Sequence, residues 1–310
     1  MAVYTQVSAE EIEALLASYD VGRLTSAKGI AEGVENSNFL LDTDRARFIL
    51  TLYEKRVDAA DLPFFLALLD HLADRALPVP RAIRDRSGKQ LQHVAGRPAC
   101  LIEFLPGLSV TRPSPAQARA AGEALGCMHA ALVDFEGERA NSLGLEGWRG
   151  LAQKCGDQLD AIALGLSDRV ARELDWLERY WPADLPRAVI HADLFPDNVL
   201  MRGDAVGGII DFYFACTEVR AWDVAVTHCA WSFPDGRFNR AIGDAILEGY
   251  EAGFGLSDAE RAAFSALARG ACLRFLLTRA WDWLNTPADA MVTRKDPLAF
   301  LTRLEHYAAS

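Results

Sequence analysis

Positive charge is scarce in this chain, and lysine scarcer still. Against 43 Asp and Glu stand 32 Lys and Arg, and the only lysines are Lys28, Lys55, Lys89, Lys154 and Lys295. A formal net charge of −11 excludes a general nucleic-acid binder, which presents a basic stripe to phosphates. No apolar run approaches the roughly 18–20 residues that span a bilayer, so no membrane partner is expected. The stretch MAVYTQVSAEEIEALL lacks a basic start, an apolar core and a cleavage site. It is no signal peptide, and a cytoplasmic setting is expected. Cysteine is sparse and scattered: Cys100, Cys127, Cys155, Cys216, Cys229 and Cys272 form no CxxC pair and have no histidine at ligand spacing. That excludes a disulfide framework or a clustered zinc site and leaves small buried thiols.

What is present is a globular composition, 51% hydrophobic over 310 residues, enough for one large or two medium domains. Ser8 and Glu11 read as the capping box of a first helix over 8–17. GRLTSAKGI, NFLLDT and ARFILTLYE then read as three strands, the first two joined by a polar loop, AEGVENS. An apolar-periodic helix, DLPFFLALLDHLADRAL, stops at the prolines of 78–80. RAIRDRSGKQLQHVAGRPACLIEF offers further strands. After LPG at 105–107 long helical patterns take over, one of them spanning about 155–180. The only β interruption expected is the hairpin VLMRGDAVGGIIDF, preceded by a short strand, AVI. The pattern predicts an α+β protein with a β-rich part, residues 1–102, and a larger helical part, residues 103–310.

The densest polar chemistry lies in HADLFPDNVL, residues His191 to Leu200, between two apolar runs. Asp193 and Asn198 sit in that loop, and Asp211 ends the second strand of the hairpin eighteen residues after Asp193, where it can face the loop across a small cleft. Phosphoryl transfer from ATP uses such a set: a carboxylate to orient and deprotonate the attacking hydroxyl, and hard oxygens to hold Mg²⁺ on the phosphates. Asp193 is the candidate base, and Asn198 and Asp211 are the candidate metal ligands. Asp and Asn also form turns through local hydrogen bonds, and on the loop residues alone that reading stands beside the catalytic one. In AEGVENS, Gly33 permits close backbone approach, and Asn36, Ser37 and Asn38 offer donors to a phosphate. An ordinary hairpin loop is the alternative.

HADLFPDN followed by IIDF resembles the H-x-D-x-x-x-x-N … D core of the protein-kinase-like superfamily, in its small-molecule branch of aminoglycoside phosphotransferases and choline kinases. Phe195 stands where protein kinases place a lysine, and Asp211-Phe212-Tyr213 replaces their DFG. GIAEGVENSNFLL, FILTLYEKR, LPVPRAI, IEFLPG and DFYFACTEVRAWDVA, with the MAVYT start, extend the likeness to the bacterial homoserine kinases of this superfamily over nearly the whole chain. The resemblance implies a bilobal protein-kinase-like fold and phosphorylation of the side-chain hydroxyl of L-homoserine, on the way to threonine, with ATP and Mg²⁺. Two alternatives remain: a kinase of another small alcohol, and a nucleotide-binding scaffold with little turnover.

The resemblance also implies roles for single residues. His191 and Asp223 become structural, Asp223 as a helix-capping aspartate that braces the catalytic loop. Glu103 and Leu105 fall where the inter-lobe hinge offers backbone groups to adenine. The strand lysine that pairs the ATP phosphates is replaced by Thr51, and its helical glutamate partner by Phe65. Lys28, beside the AEGVENS loop, is the preferred substitute over Lys55. Homoserine, carrying an ammonium and a carboxylate, calls for an acid and an arginine. The late helix carries Arg274, Arg279 and Asp282, with Arg279 and Asp282 at i, i+3 on one face as the candidate substrate pair. An ordinary helical ion pair is the alternative there.

Overall fold

The computed structural model describes residues 5–30, 36–54, 58–286 and 294–309. It divides into two compact units: Met1–Pro106 with Gly208–Tyr213, and Gly107–Gly207 with Phe214–Ser310. No helix among the described residues is long and apolar enough to cross a membrane.

The first unit opens with α1, Ala9–Leu16. The Ser8 side chain accepts from the Glu11 N–H at 3.2 Å, and the Glu11 carboxylate accepts from the Ser8 N–H at 2.8 Å, so two otherwise orphaned donors are satisfied. Strands β1 (Leu24–Ile30), β2 (Asn36–Thr43) and β3 (Arg47–Tyr53) follow. After α2 (Leu62–Asp74) come β4 (Leu91–Val94) and β5 (Arg97–Glu103). The five strands form one antiparallel sheet in the order β1-β2-β3-β5-β4. Alternation along each strand gives the sheet two characters. Phe39, Leu41, Phe48, Leu50, Leu52, Ala99 and Leu101 join Ile12 and Leu16 of α1 in a buried core. Truncating a fully buried member such as Leu50 to alanine costs about 2–5 kcal/mol. The opposite face carries Asn38, Thr51 and Cys100, which lie directly across from one another on β2, β3 and β5. Lys28 lies opposite Leu40 on β1 and so shares that face. Asn36 and Ser37, expected in the loop, are instead the first residues of β2 and are buried, because they pair with Tyr53 and Leu52 at the end of β3.

The second unit is mainly helical: α3 (Pro115–Ala131), α4 (Leu145–Cys155) and α5 (Leu166–Tyr180) precede the short strand β6 (Arg187–Ile190). The single helix expected over 155–180 is broken. A 3₁₀ turn spans Gly156–Ala161, and left-handed Gly165 (φ 74°) redirects the chain before α5, so an apolar period alone does not carry a helix through it. β7 (Val199–Arg202) and β8 (Ala205–Ile209) pair as the expected hairpin. β9 (Cys216–Val219), which has no marked period of its own, pairs antiparallel with β6. Helices α6 (Arg220–Trp231), α7 (Arg240–Gly253), α8 (Asp258–Ala262), α9 (Phe264–Asn285) and α10 (Leu298–Ala308) complete the chain. Every residue of α6 from Ala221 to Trp231 is buried, so this helix is the spine of the unit. Helices α3 and α7 touch backbone to backbone: a Cβ added at Gly249 would meet the Arg119 carbonyl at 2.0 Å, so only glycine fits there.

Candidate active site

The loop after β6 is anchored by groups that lie far from it in sequence. Asp223, in the first turn of α6, is fully buried. Its two carboxylate oxygens accept from the N–H of His191 and the N–H of Ala192, each at 2.7 Å. His129 of α3 holds the same carboxylate through Nε2 at 3.1 Å, and Tyr250 of α7 holds His129 Nδ1 at 2.9 Å. Burial alone would push the Asp223 carboxyl pKa up. The hydrogen bond and charge of His129, the charge of His191 and the loop N–H outweigh that and hold it below the ordinary carboxylate range. Ala192 adopts a left-handed backbone (φ 64°), a conformation costing a non-glycine residue about 1–3 kcal/mol unless its surroundings enforce it. Enforcement comes from both sides, because the guanidinium of Arg274 donates to the Ala192 carbonyl. Arg274 is 2% exposed and packs against Phe214, Trp222 and Phe275. The next carbonyl but one, Leu194, accepts from the Trp231 indole at 2.9 Å.

Within this frame Asp193 is partly exposed, and Asn198 is buried beside it. The Asn198 side-chain amide donates to the Asp193 carbonyl at 2.8 Å and to the Asp193 carboxylate at 3.1 Å. The nitrogen of that amide is thereby committed, which leaves its oxygen as the atom available to a cation. His191 is fully buried, and its Nδ1 accepts from the Asp193 N–H at 3.2 Å, the structural role expected of it. Asp223 braces the loop as expected, although it lies inside α6 rather than at its cap.

Sequence reasoning missed the Arg274 brace. It grouped Arg274 with the candidate substrate acids and arginines, whereas burial against the loop backbone removes that arginine from any ligand. Arg279, farther along α9, is placed differently. Its guanidinium lies 4.5 Å over the Phe300 ring and donates to the Asp296 carbonyl at 3.2 Å. Burial, reinforced by the charge of Arg303, draws its pKa down to about 10, against the opposing charges of Asp197, Asp193 and Asp296. Arg279 therefore lies in the field of the loop carboxylates. Asp282 is partly exposed three residues on. Lys295, which carried no sequence signal, pairs with Asp197 at 3.2 Å. Phe195 packs edge-on against Phe275 at 4.7 Å, giving the loop an aromatic floor.

The residues proposed for nucleotide divide similarly. Gly33 and Lys55 lie outside the described residues. Asn36 and Ser37 have side chains engaged within the sheet end: the Asn36 oxygen accepts from the Glu54 N–H at 3.4 Å, and the Ser37 hydroxyl donates to the Glu54 carboxylate at 2.7 Å. Asn38 accepts from the Thr51 hydroxyl at 2.8 Å. Lys28 is exposed, about 12 Å from Thr51 by two strand spacings and two residues of rise. Glu103 ends β5, and its carboxylate accepts from the Arg81 N–H at 3.2 Å; Leu105 is partly exposed. Asp211 belongs to the first unit and, like Ala192, has a left-handed backbone (φ 67°), followed by a 3₁₀ turn over Phe212–Phe214.

Residues 26–265 match the model of a phosphotransferase enzyme family. The chain is similar to the homoserine kinase of Zymomonas mobilis subsp. mobilis, with 58% identity covering 99% of this chain and 97% of that protein. It is 54% identical to the homoserine kinase of Xanthobacter autotrophicus, covering 100% and 97%. Among solved structures, an amicoumacin kinase in complex with AMP-PNP, Ca²⁺ and Ami aligns with a TM-score of 0.71 over 98% of this chain and 94% of that one. At 13% identity, that likeness is one of fold alone. The α+β, protein-kinase-like fold expected from the sequence is the fold of these neighbours.

Proposed function

The chain belongs to the phosphotransferase enzyme family, and from that premise we propose that it transfers the γ-phosphoryl group of ATP to the side-chain hydroxyl of L-homoserine, giving O-phospho-L-homoserine. The observation that carries the chemistry is the pair at Asp193 and Asn198. A partly exposed carboxylate is held by a neighbouring amide on a loop whose backbone is fixed by Asp223 and Arg274. Asp193 accepts the proton of the attacking hydroxyl and aims its oxygen at phosphorus. General-base help of this kind is worth about 10²–10⁴-fold.

The donor set fits a hard divalent cation. Asn198 keeps its amide oxygen for a ligand, and Asp211 contributes a carboxylate. Mg²⁺, which retains several waters, needs little more from protein. When bound it neutralises charge on the β- and γ-phosphates. Lys28, exposed on the face that carries Thr51, supplies a point charge to the phosphates in place of the missing strand lysine. Gly33 remains the candidate for close approach to them, Asn36, Ser37 and Asn38 are engaged within the sheet, and Glu103 and Leu105 offer backbone groups to adenine. For the acceptor, the fork of Arg279 suits a carboxylate, and Asp282 suits the ammonium.

An ADP-release assay over L-homoserine, L-serine, choline, ethanolamine and an aminoglycoside tests this reading. L-Homoserine is expected to give the highest kcat/KM by at least about tenfold, since the alcohols without a carboxylate bring no anion to the Arg279 fork. A higher value for any other alcohol overturns the acceptor, and no ADP release with any of them overturns the kinase reading.

A further inference from the structure

Asp197 stands one residue before Asn198 and takes no part in the catalytic set, yet it carries a charged partner of its own. Lys295 pairs with it at 3.2 Å and lies 5.9 Å over the ring of Phe195, so one of the chain's few lysines sits over the loop that carries the base. The segment presenting Lys295 is fixed by its neighbours. The next residue, Asp296, accepts from Arg279 through its carbonyl at 3.2 Å, and its carboxylate accepts from the Leu298 N–H at 2.8 Å as α10 begins. The bond from Arg279 ties both cations to the same short stretch. It uses one of the guanidinium's several donors and leaves others for a ligand. Phe195 and Phe300, whose rings stand 6.1 Å apart, lie under Lys295 and Arg279 respectively. One acid, Asp197, is thus set beside two bases on an aromatic floor, and all of these residues belong to the second unit.

We propose that Asp197 and Lys295 determine specificity for a zwitterionic acceptor: in the structure they pair with each other, and L-homoserine exchanges that contact for its own charges, its ammonium on Asp197, alongside Asp282, and its carboxylate on Lys295 beside Arg279. The proposal rests on the reading of L-homoserine as the acceptor. The exchange costs little, because the side chains of Lys295 and Asp197 are 60% and 58% exposed, and an ion pair so open to water contributes little to stability. It is also selective. A zwitterion replaces both halves of the broken pair. An amino alcohol without a carboxylate takes Asp197 and strands Lys295 next to a second cation, and a hydroxy acid without an ammonium strands Asp197 instead. Asp197 shares its loop with Asp193, and Asn198 bonds Asp193 through both the carbonyl and the carboxylate. The acid that takes the ammonium is therefore held in register with the base that takes the hydroxyl proton.

Steady-state kinetics with two competing probes tests the exchange: propanolamine, which is homoserine without its carboxylate, and γ-hydroxybutyrate, which is homoserine without its ammonium. Lys295→Met is expected to raise KM for L-homoserine about tenfold, as for one charge-assisted hydrogen bond, with KM for ATP unmoved. Lys295→Arg should restore most of that loss. The inhibition constant of propanolamine should not weaken in Lys295→Met, since that probe brings nothing for Lys295 to hold. Asp197→Asn should raise the homoserine KM similarly and spare the inhibition constant of γ-hydroxybutyrate. An unchanged homoserine KM in either variant overturns the proposal. So does equal weakening of homoserine and of the probe that lacks the matching charge, or a rise in KM for ATP instead. If the wild-type chain prefers another alcohol to L-homoserine, the acceptor reading falls and the pair falls with it. If L-homoserine is preferred and either substitution leaves its KM unmoved, only the pair falls.

Discussion

The loop carrying Asp193 and the sheet face carrying Thr51 hold their working residues by opposite means. Around the loop the grip is ionic and buried: the Asp223 carboxylate on two N–H groups and His129, and the Arg274 guanidinium on the Ala192 carbonyl. Around the sheet face it is neutral: the Thr51 hydroxyl on the Asn38 amide oxygen, and the Tyr213 ring against Tyr53 and Phe65. The difference follows from what each must fix. The loop contains a left-handed alanine whose peptide groups on both sides need strong partners, and a charged group forms the stronger hydrogen bond. A strand is already fixed by its ladder, so on the sheet only side-chain placement remains, and van der Waals contact with weak hydrogen bonds suffices. At Ala192, charge holds a backbone against its own preference.

The widest gap should appear in turnover. Asp193→Asn is expected to lower kcat by about 10²–10⁴-fold while melting temperature and nucleotide affinity stay near wild type, because the loop is held by its frame rather than by Asp193. An Asp193→Asn enzyme with wild-type kcat would sink the assignment of the base. Stability separates the two regions next. Asp223→Ala strands two loop N–H groups and His129 in the interior and should cost about 3–5 kcal/mol in denaturant unfolding. Thr51→Val removes one hydroxyl from a neutral network and should cost about 1 kcal/mol. Equal losses would erase the contrast between the regions.

Acid should then strain the helical unit. His228, buried on α6 against Tyr307, is held neutral, its pKa drawn from the ordinary value near 6.5 down to about 4 by burial, with a smaller push from His306. Between those values the unfolded chain binds the proton and the folded one does not, so stability falls as pH drops from about 6.5 to about 4 and levels off below. The loss should reach about 3 kcal/mol. His228→Gln should flatten that slope in urea titrations at pH 7, 5.5 and 4.5, and an unaltered slope would remove His228 as its source. The smallest effect expected is that of Lys28→Met, a severalfold rise in KM for ATP with KM for homoserine unchanged. A rise in the homoserine KM alone would take Lys28 away from the phosphates.

Some of this was legible in the linear chain because the physics is local. The Ser8–Glu11 capping box, the strand pattern of residues 24–53 and the spacing of Asp193 to Asn198 all depend on neighbours within a few residues, so side-chain type and spacing suffice to find them. The break in the helix expected over 155–180 was not legible, since the apolar period runs on while Gly165 redirects the chain. Nor were the buried starts of β2 at Asn36 and Ser37, whose loop-like polarity is satisfied across the sheet by Glu54. The use of Arg274 was out of reach altogether. An arginine among aromatics on a helix reads the same whether it meets a substrate or a carbonyl 82 residues away, and only folding brought it to Ala192. By itself the sequence determined the chemistry available, one base and two oxygen donors in a fixed order. Tertiary structure decided which charged groups are free to act and which are consumed in holding the backbone, because that depends on burial, and burial is a property of distant residues brought together.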